Sequence, residues 1–262
     1  MKIIKTYLNT IQKELENSFE DPTYDNSIKI FVTNGSKLIR SSLAILYLKA
    51  QDKEITSEII KILVAGELIH NASLLHDDVL DNAETRRNKK TLSKKFNSKI
   101  SILAGDYLLS HAVSILLEIS SKEVLKLFQN CTKEMTNAEI KQYFLRKQLP
   151  SETEYINICK GKTAKLFSTI LESCAIISKL NQTNAKIFGE IFGVIFQIKN
   201  DLAPDSRKQD KNNKIFTAED IMGIEKTNSL LDNYKEELRA VLNNFSNNEY
   251  SKRLKDLIEL LW

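Results

Sequence analysis

Glycine and proline are scarce in this chain: 262 residues hold 7 Gly and 3 Pro, ten positions in all. Ordinary usage is roughly 7% Gly and 5% Pro, so the shortage excludes a collagen-like chain and argues against a turn-dense β-sandwich or a Gly-rich phosphate loop. Long, unbroken helices remain. Cysteine is sparse too, with Cys131, Cys159 and Cys174 far apart and no Cys-x-x-Cys spacing. That excludes a zinc knuckle and a disulfide framework, and a reducing cytoplasm is the expected compartment. No uninterrupted apolar run approaches about 18 residues, and polar side chains break up residues 1–8, so neither a transmembrane segment nor a signal peptide is expected. Charge of one sign is also missing. Lys and Arg total 38 against 34 Asp and Glu, a net +4 that is too even for nucleic acid and compatible with a small anionic substrate.

A hydrophobic fraction of 42% with 27% charged residues describes a globular chain with a sizeable core, not a disordered one. Apolar residues recur at three- and four-residue spacing, as in Ile59, Ile62, Leu63, Gly66, Leu68, Ile69 and again in Ile187, Ile191, Val194, Ile195, Ile198. No comparable segment alternates with period two, so the predicted class is all-α. Breaks are expected near 21–22, 33–35, 51–52, 82–90, 120–121, 149–151, 181–182, 204–217 and 243–248. Ser151 followed by Glu154 reads as a capping box opening a helix after Pro150. No internal repeat or linker is visible, which predicts one domain over residues 1–262.

The most informative stretch runs from Glu67 through His70, Ala72, Ser73, His76, Asp77 and Asp78 to Asp81. At 100° per residue, Asp77 and Asp81 fall about 40° apart on one helix face, with Asp78 beside them and His70 about 20° off Asp77. Clustered carboxylates repel one another unless cations sit among their oxygens, and a hard divalent ion carrying phosphate answers that need. An exposed acidic helix end is the plain alternative. Arg86 and Arg87 follow within reach, and paired guanidinium forks are suited to the remaining oxygens of a diphosphate.

The run Ser73-Leu74-Leu75-His76-Asp77-Asp78-Val79-Leu80-Asp81-Asn82, with Arg86-Arg87 behind it, resembles the first aspartate-rich motif of the trans-prenyl (polyprenyl) diphosphate synthases. Further segments carry the likeness: Gly35-Ser36-Lys37-Leu38-Ile39-Arg40, Lys162-Thr163-Ala164-Lys165-Leu166-Phe167, Gly105-Asp106-Tyr107-Leu108-Leu109 and the Glu139, Gln142 pair. The resemblance implies an isoprenoid-synthase-type bundle of long helices around a central cavity. It implies Mg²⁺ held by Asp77, Asp81 and Asp201, with catalytic roles for these three and for Asp78, Arg86, Lys162 and Thr163. Lys37, Arg40, His70 and Arg87 would bind isopentenyl diphosphate, while Arg86, Lys162, Thr163 and Gln197 would serve the allylic diphosphate. Glu139, Gln142 and the Gly105 segment are assigned to packing and hydrogen bonding, and His76 and His111 to structure.

Three departures stand out. Ser36 and Ser41 replace a glycine and a proline around Lys37 and Arg40, without removing a charge. The second aspartate-rich motif reads Lys199-Asn200-Asp201-Leu202-Ala203-Pro204-Asp205, so the expected first and third aspartates are Asn200 and Pro204. Asp201 and Asp205 are four apart, which keeps them on one face in a register shifted by one residue, and a π-bulge would supply the rotation that the shift needs; Pro204 marks the helix as disturbed or ending. The chain is also compressed before Asp210 and Thr217, which look like a later family turn, and Lys208 or Lys214 would replace lysines of the shortened region.

The implied activity is 1'-4 trans condensation of isopentenyl diphosphate with an allylic prenyl diphosphate, by a Mg²⁺-dependent prenyltransferase working as a homodimer or within a heteromer. Ala72 and Ser73, one turn before Asp77, are small, which predicts a product of about twenty carbons or more. Two alternatives are a non-catalytic or weakly active prenyl-diphosphate-binding subunit of a heteromeric synthase, suggested by the altered second motif and the shortened region, and a class I terpene cyclase, which would leave Lys37, Arg40, His70 and Arg87 without a use.

Overall fold

The computed structural model describes residues 2–18, 26–33, 37–87, 89–203, 213 and 215–260. The helices are α1 (Lys2–Asn17), α2 (Asn26–Thr33), α3 (Ile39–Lys49), α4 (Ser57–Leu80), α5 (Leu92–Lys95), α6 (Ser98–Leu117), α7 (Lys122–Leu145), α8 (Glu152–Cys159), α9 (Lys165–Ser178), α10 (Gln182–Leu202), α11 (Ala218–Met222), α12 (Ile224–Leu242) and α13 (Glu249–Leu260). A π-helical turn, Lys160–Ala164, joins α8 to α9. The one sheet among the described residues is a hairpin of two residues a side, β1 (Thr85–Arg86) with β2 (Lys89–Lys90). The all-α expectation therefore holds.

Several helix starts near the expected breaks carry identifiable caps, while the breaks at 21–22 and over most of 204–217 lie outside the described residues. Thr56 and Asn181 accept from the backbone N–H three residues on and so open α4 and α10, while Ser151 and Glu154 form the full capping box of α8. Each cap satisfies an amide that a helix start leaves without an intrahelical partner. Ala203 is extended, at ψ 136°, the conformation forced on a residue that precedes proline, so α10 stops at Leu202.

The chain divides into two compact units, Met1–Ile45 with Ile55–Leu125, and Leu46–Glu54 with Lys126–Trp262. In the first, α4 packs along α6, and α1 lies on α4 with Ile11 and Leu15 fully buried. Gly105 sets the closeness of α6 to α4, since a Cβ there would stand 2.2 Å from His76 Nε2. In the second, α10 crosses α9 backbone to backbone: a Cβ on Gly189 would meet Ser168 Cα at 2.6 Å, and one on Gly193 would meet Ala164 Cα at 2.4 Å. Phe167, Phe192 and Phe196 fill the space beside that crossing, with ring centroids 5.3 and 5.6 Å from Phe167.

Two helices bear on the expectation that no segment spans a membrane, through a length-and-composition test that a core helix also passes. Both α4 and α6 are long and apolar enough by length and composition, with mean hydropathy of 1.2 and 1.6 over their most apolar 18 residues. Scattered polar residues such as Glu67 and Asp106 interrupt the apolar runs yet leave the 18-residue averages at these values. For α4 the apolar character is explained by burial, because 67% of that window lies inside the protein.

Candidate active site

In the first unit, α4 delivers the acidic motif at its C-terminal end. Asp77 is half-buried in the last turn, and Asp81 is the C-cap, its N–H bonded to Asp77 O at 2.9 Å. Asp78 points the other way. It is completely buried, its Oδ1 accepts from Arg86 Nε at 2.7 Å, and its Oδ2 has no hydrogen-bond partner among the described residues. Burial raises the Asp78 carboxyl above its ordinary pKa despite the opposing pull of Arg86, because desolvation disfavours the charged form.

The hairpin places the arginine pair. Arg86 lies on β1, and Arg87 occupies the turn at φ 51°, the left-handed conformation that a tight two-residue hairpin requires. Arg40 is in the first turn of α3 and only 9% exposed, while Lys37 is exposed just before that helix. His70, half-buried on α4, has its pKa pushed well down, first by burial and then by Arg40, Arg87 and Arg86. The three arginines therefore act on one neutral imidazole. Ala72 is fully buried and Ser73 turns its hydroxyl back to His70 O at 2.8 Å.

In the second unit, Lys162 and Thr163 sit inside the π turn. Lys162 Nζ donates to Glu139 Oε2 at 2.6 Å and to Gln142 Oε1 at 2.8 Å, so the α7 pair holds it by hydrogen bonding, the role expected from the sequence. Thr163 Oγ1 donates to Gln197 Oε1, Gln197 Nε2 donates to Asp201 Oδ1 at 2.7 Å, and Tyr155 Oη donates to Asp201 Oδ2 at 2.6 Å. Tyr155 was missed by sequence reasoning, since a tyrosine one turn into an amphipathic helix carries no signal of its own. Burial raises the Asp201 carboxyl to about 6, against the lowering effect of Tyr155, Gln197 and Lys162.

Two expectations change here. The π turn is in the Lys162 segment, where Gly193 of α10 closely approaches Ala164, and not in α10 itself, which runs as a regular helix to Leu202. Asp201, expected to hold metal, is buried with both oxygens already accepting hydrogen bonds, and its neutral neighbour Asn200 is the exposed residue. Asp205, Lys208 and Asp210 lie outside the described residues, as do Gly35, Ser36 and Lys214. Thr217 caps α11 in a second capping box, with Asp220.

Hard-oxygen donors one turn apart at Asp77 and Asp81, next to a guanidinium pair, suit a divalent ion that carries diphosphate. Among the described residues, no three metal-capable side chains converge. The long-helix bundle is of the isoprenoid-synthase type. The chain belongs to the polyprenyl synthetase family, whose pattern matches residues 21–261. It is 30% identical over 217 residues to a prenyl transferase of Cyanidium caldarium, covering 77% of this chain and 67% of that one. It is 28% identical to a short chain isoprenyl diphosphate synthase of Methanocaldococcus jannaschii, over 98% of this chain and 82% of that one. A decaprenyl diphosphate synthase from Rhodobacter capsulatus has the same fold, with a TM-score of 0.90 at 19% identity over 99% and 96% of the two chains. The chain spans about half the length of several other curated relatives that it matches.

Proposed function

We propose that the chain is a trans-prenyltransferase, joining isopentenyl diphosphate to an allylic prenyl diphosphate with loss of the allylic diphosphate. The observation that carries this reading is the pairing of Asp77 and Asp81 with the Asp78-held Arg86 and the Arg40, His70, Arg87 group, a set with more cations than one bound diphosphate needs. The family match runs through both compact units, which supports treating residues 1–262 as one functional domain.

Arg40, Arg87 and Lys37 bind the diphosphate of isopentenyl diphosphate, and His70, kept neutral by burial and by the arginines, donates a single N–H to it. Arg86, steered by Asp78, and Lys162, steered by Glu139 and Gln142, offset charge on the departing allylic diphosphate. Asp77 and Asp81 would hold Mg²⁺, which supplies Lewis-acid neutralisation of the diphosphate oxygens when bound. Asp201 serves the allylic side differently from a ligand: through Gln197 it fixes the Thr163 hydroxyl near the reacting carbon. The proton lost after carbon–carbon bond formation passes to the released diphosphate. No side-chain nucleophile is required, and the three free cysteines are buried, in keeping with a reducing cytoplasm.

Small residues at Ala72 and Ser73 leave room for a product of about twenty carbons or more. The exposed apolar side chains of α6 support a homodimer. Incubating the purified chain with labelled isopentenyl diphosphate, farnesyl diphosphate and Mg²⁺ tests the reading. Label should enter a longer prenyl diphosphate and chelation should abolish it; a chain that incorporates none would overturn the assignment.

A further inference from the structure

Glu67 is the one buried carboxylate of α4 that the chemistry above does not use. It lies in mid-helix, only 1% exposed, where an ionised side chain costs several kcal/mol unless its oxygens are satisfied. Its Oε1 accepts from Ser41 Oγ at 2.7 Å and from Ser41 N at 3.2 Å. Ser41 is itself fully buried and occupies the third position of α3, directly after Arg40. Glu67 thus anchors the first turn of α3 through a backbone amide that the helix cannot satisfy itself. It acts on the other arginine through charge, since its field raises the Arg87 pKa against the lowering by burial and by Arg86.

The start of α3 is held tightly in other ways too. Leu38, buried immediately before Arg40's turn, is left-handed at φ 44°, and its carbonyl accepts from Ser42 N at 2.8 Å. Such a conformation is unfavourable for a non-glycine residue and persists only where surroundings over-determine it. Where a proline follows the arginine, as is common in chains of this resemblance, neither donor to Glu67 exists, because proline lacks both an N–H and a hydroxyl. In this chain Ser41 supplies both.

We propose that Glu67 and Ser41 form a positioning pair that sets Arg40 and Arg87 for the diphosphate of isopentenyl diphosphate; this rests on the reading of the site given above. The pair touches no reacting atom, so its removal changes substrate affinity and leaves the chemical step alone. Steady-state kinetics would be run on wild type, Ser41→Ala, Glu67→Gln and the double variant, varying isopentenyl diphosphate at saturating farnesyl diphosphate and then the reverse. Each single variant should raise the KM for isopentenyl diphosphate about tenfold, close to the value of one charge-assisted hydrogen bond, while kcat and the allylic KM stay within about twofold. The double variant should lose less than the two single effects combined, since both changes weaken the same contact.

An unchanged KM for isopentenyl diphosphate, an equal rise in both KM values, or additive losses would each overturn the pair's role. Circular dichroism melts establish that the variants fold, and if Glu67→Gln does not, the smaller Ser41→Ala carries the test. A wild-type chain inert toward isopentenyl diphosphate fails the underlying reading instead, and the wild-type arm separates the two failures.

Discussion

At the scale of single residues, the two buried aspartates show how environment assigns roles that composition leaves equal. Asp78 and Asp201 are both buried carboxylates, yet one is tied to a guanidinium and the other to a phenol and an amide. The second arrangement makes a pH prediction for the metal-free protein. A carboxyl raised from about 3.9 when unfolded to about 6 when folded binds more protons in the native state across that interval. Stability therefore falls as pH rises from about 4 to 6, by on the order of 3 kcal/mol for this group. Asp201→Asn, with Gln197 turning its amide over to keep its partners, should flatten that slope; urea denaturation at pH 4, 5, 6 and 7 reads it directly, and equal slopes in both proteins would refute the assignment. Ser73 makes a second prediction. It stands one turn before Asp77 on the same helix face, so Ser73→Phe should place a ring in the path of a growing chain and shorten the product by one or more five-carbon additions, measured by chromatography of the dephosphorylated products.

Among the elements, the α9–α10 crossing is the one on which the Lys162 segment depends. Gly193→Ala would put a methyl carbon 2.4 Å from Ala164 Cα, and because the obstacle is backbone, a helix must move. Overpacking of this kind costs about 1–3 kcal/mol. The displaced π turn carries Lys162 and Thr163, so the variant should show both a lower Tm and a raised KM for the allylic substrate, with the KM for isopentenyl diphosphate unaffected. The same element marks the limit of what was legible. Helix breaks at Pro150-Ser151, at Asn181 and before Pro204 could be read because caps and prolines act locally. The π turn could not, since it is set by a close approach between helices distant in sequence, and a regular α10 was equally invisible behind the suggestive Asp201, Asp205 spacing. Likewise the spacing of Asp77, Asp78 and Asp81 revealed the cluster, but which carboxylate turns inward depends on where the hairpin puts Arg86. Glu67 gave no signal because nothing local in α4 requires it; its partner Ser41 lies 26 residues away.

For the whole molecule, the surface of α6 sets an assembly prediction. Leu103 and Leu117 are 62% and 66% exposed and Val113 48%, and these positions recur along one stripe at heptad-like spacing, with small Ser110 between them. A soluble chain rarely leaves such a stripe on a helix unless another surface covers it, and a second copy of the same helix offers a self-complementary partner under two-fold symmetry. The purified 30.0 kDa chain should therefore sediment at about twice its own mass. Charges introduced at two points of the stripe, as in Leu103→Glu with Leu117→Glu, lie on exposed positions and should leave the fold intact while shifting the particle to a monomer. Sedimentation equilibrium over a range of concentrations distinguishes the outcomes. A wild type that stays monomeric at tens of micromolar, or a double variant that remains dimeric, would show that α6 is not the contact. Because Asp106 on the same helix reaches His76 of α4 at 3.4 Å, and α4 ends in Asp77 and Asp81, loss of the dimer should also loosen the acidic motif. The monomeric variant is accordingly expected to need more Mg²⁺ for half-maximal turnover than the parent dimer does.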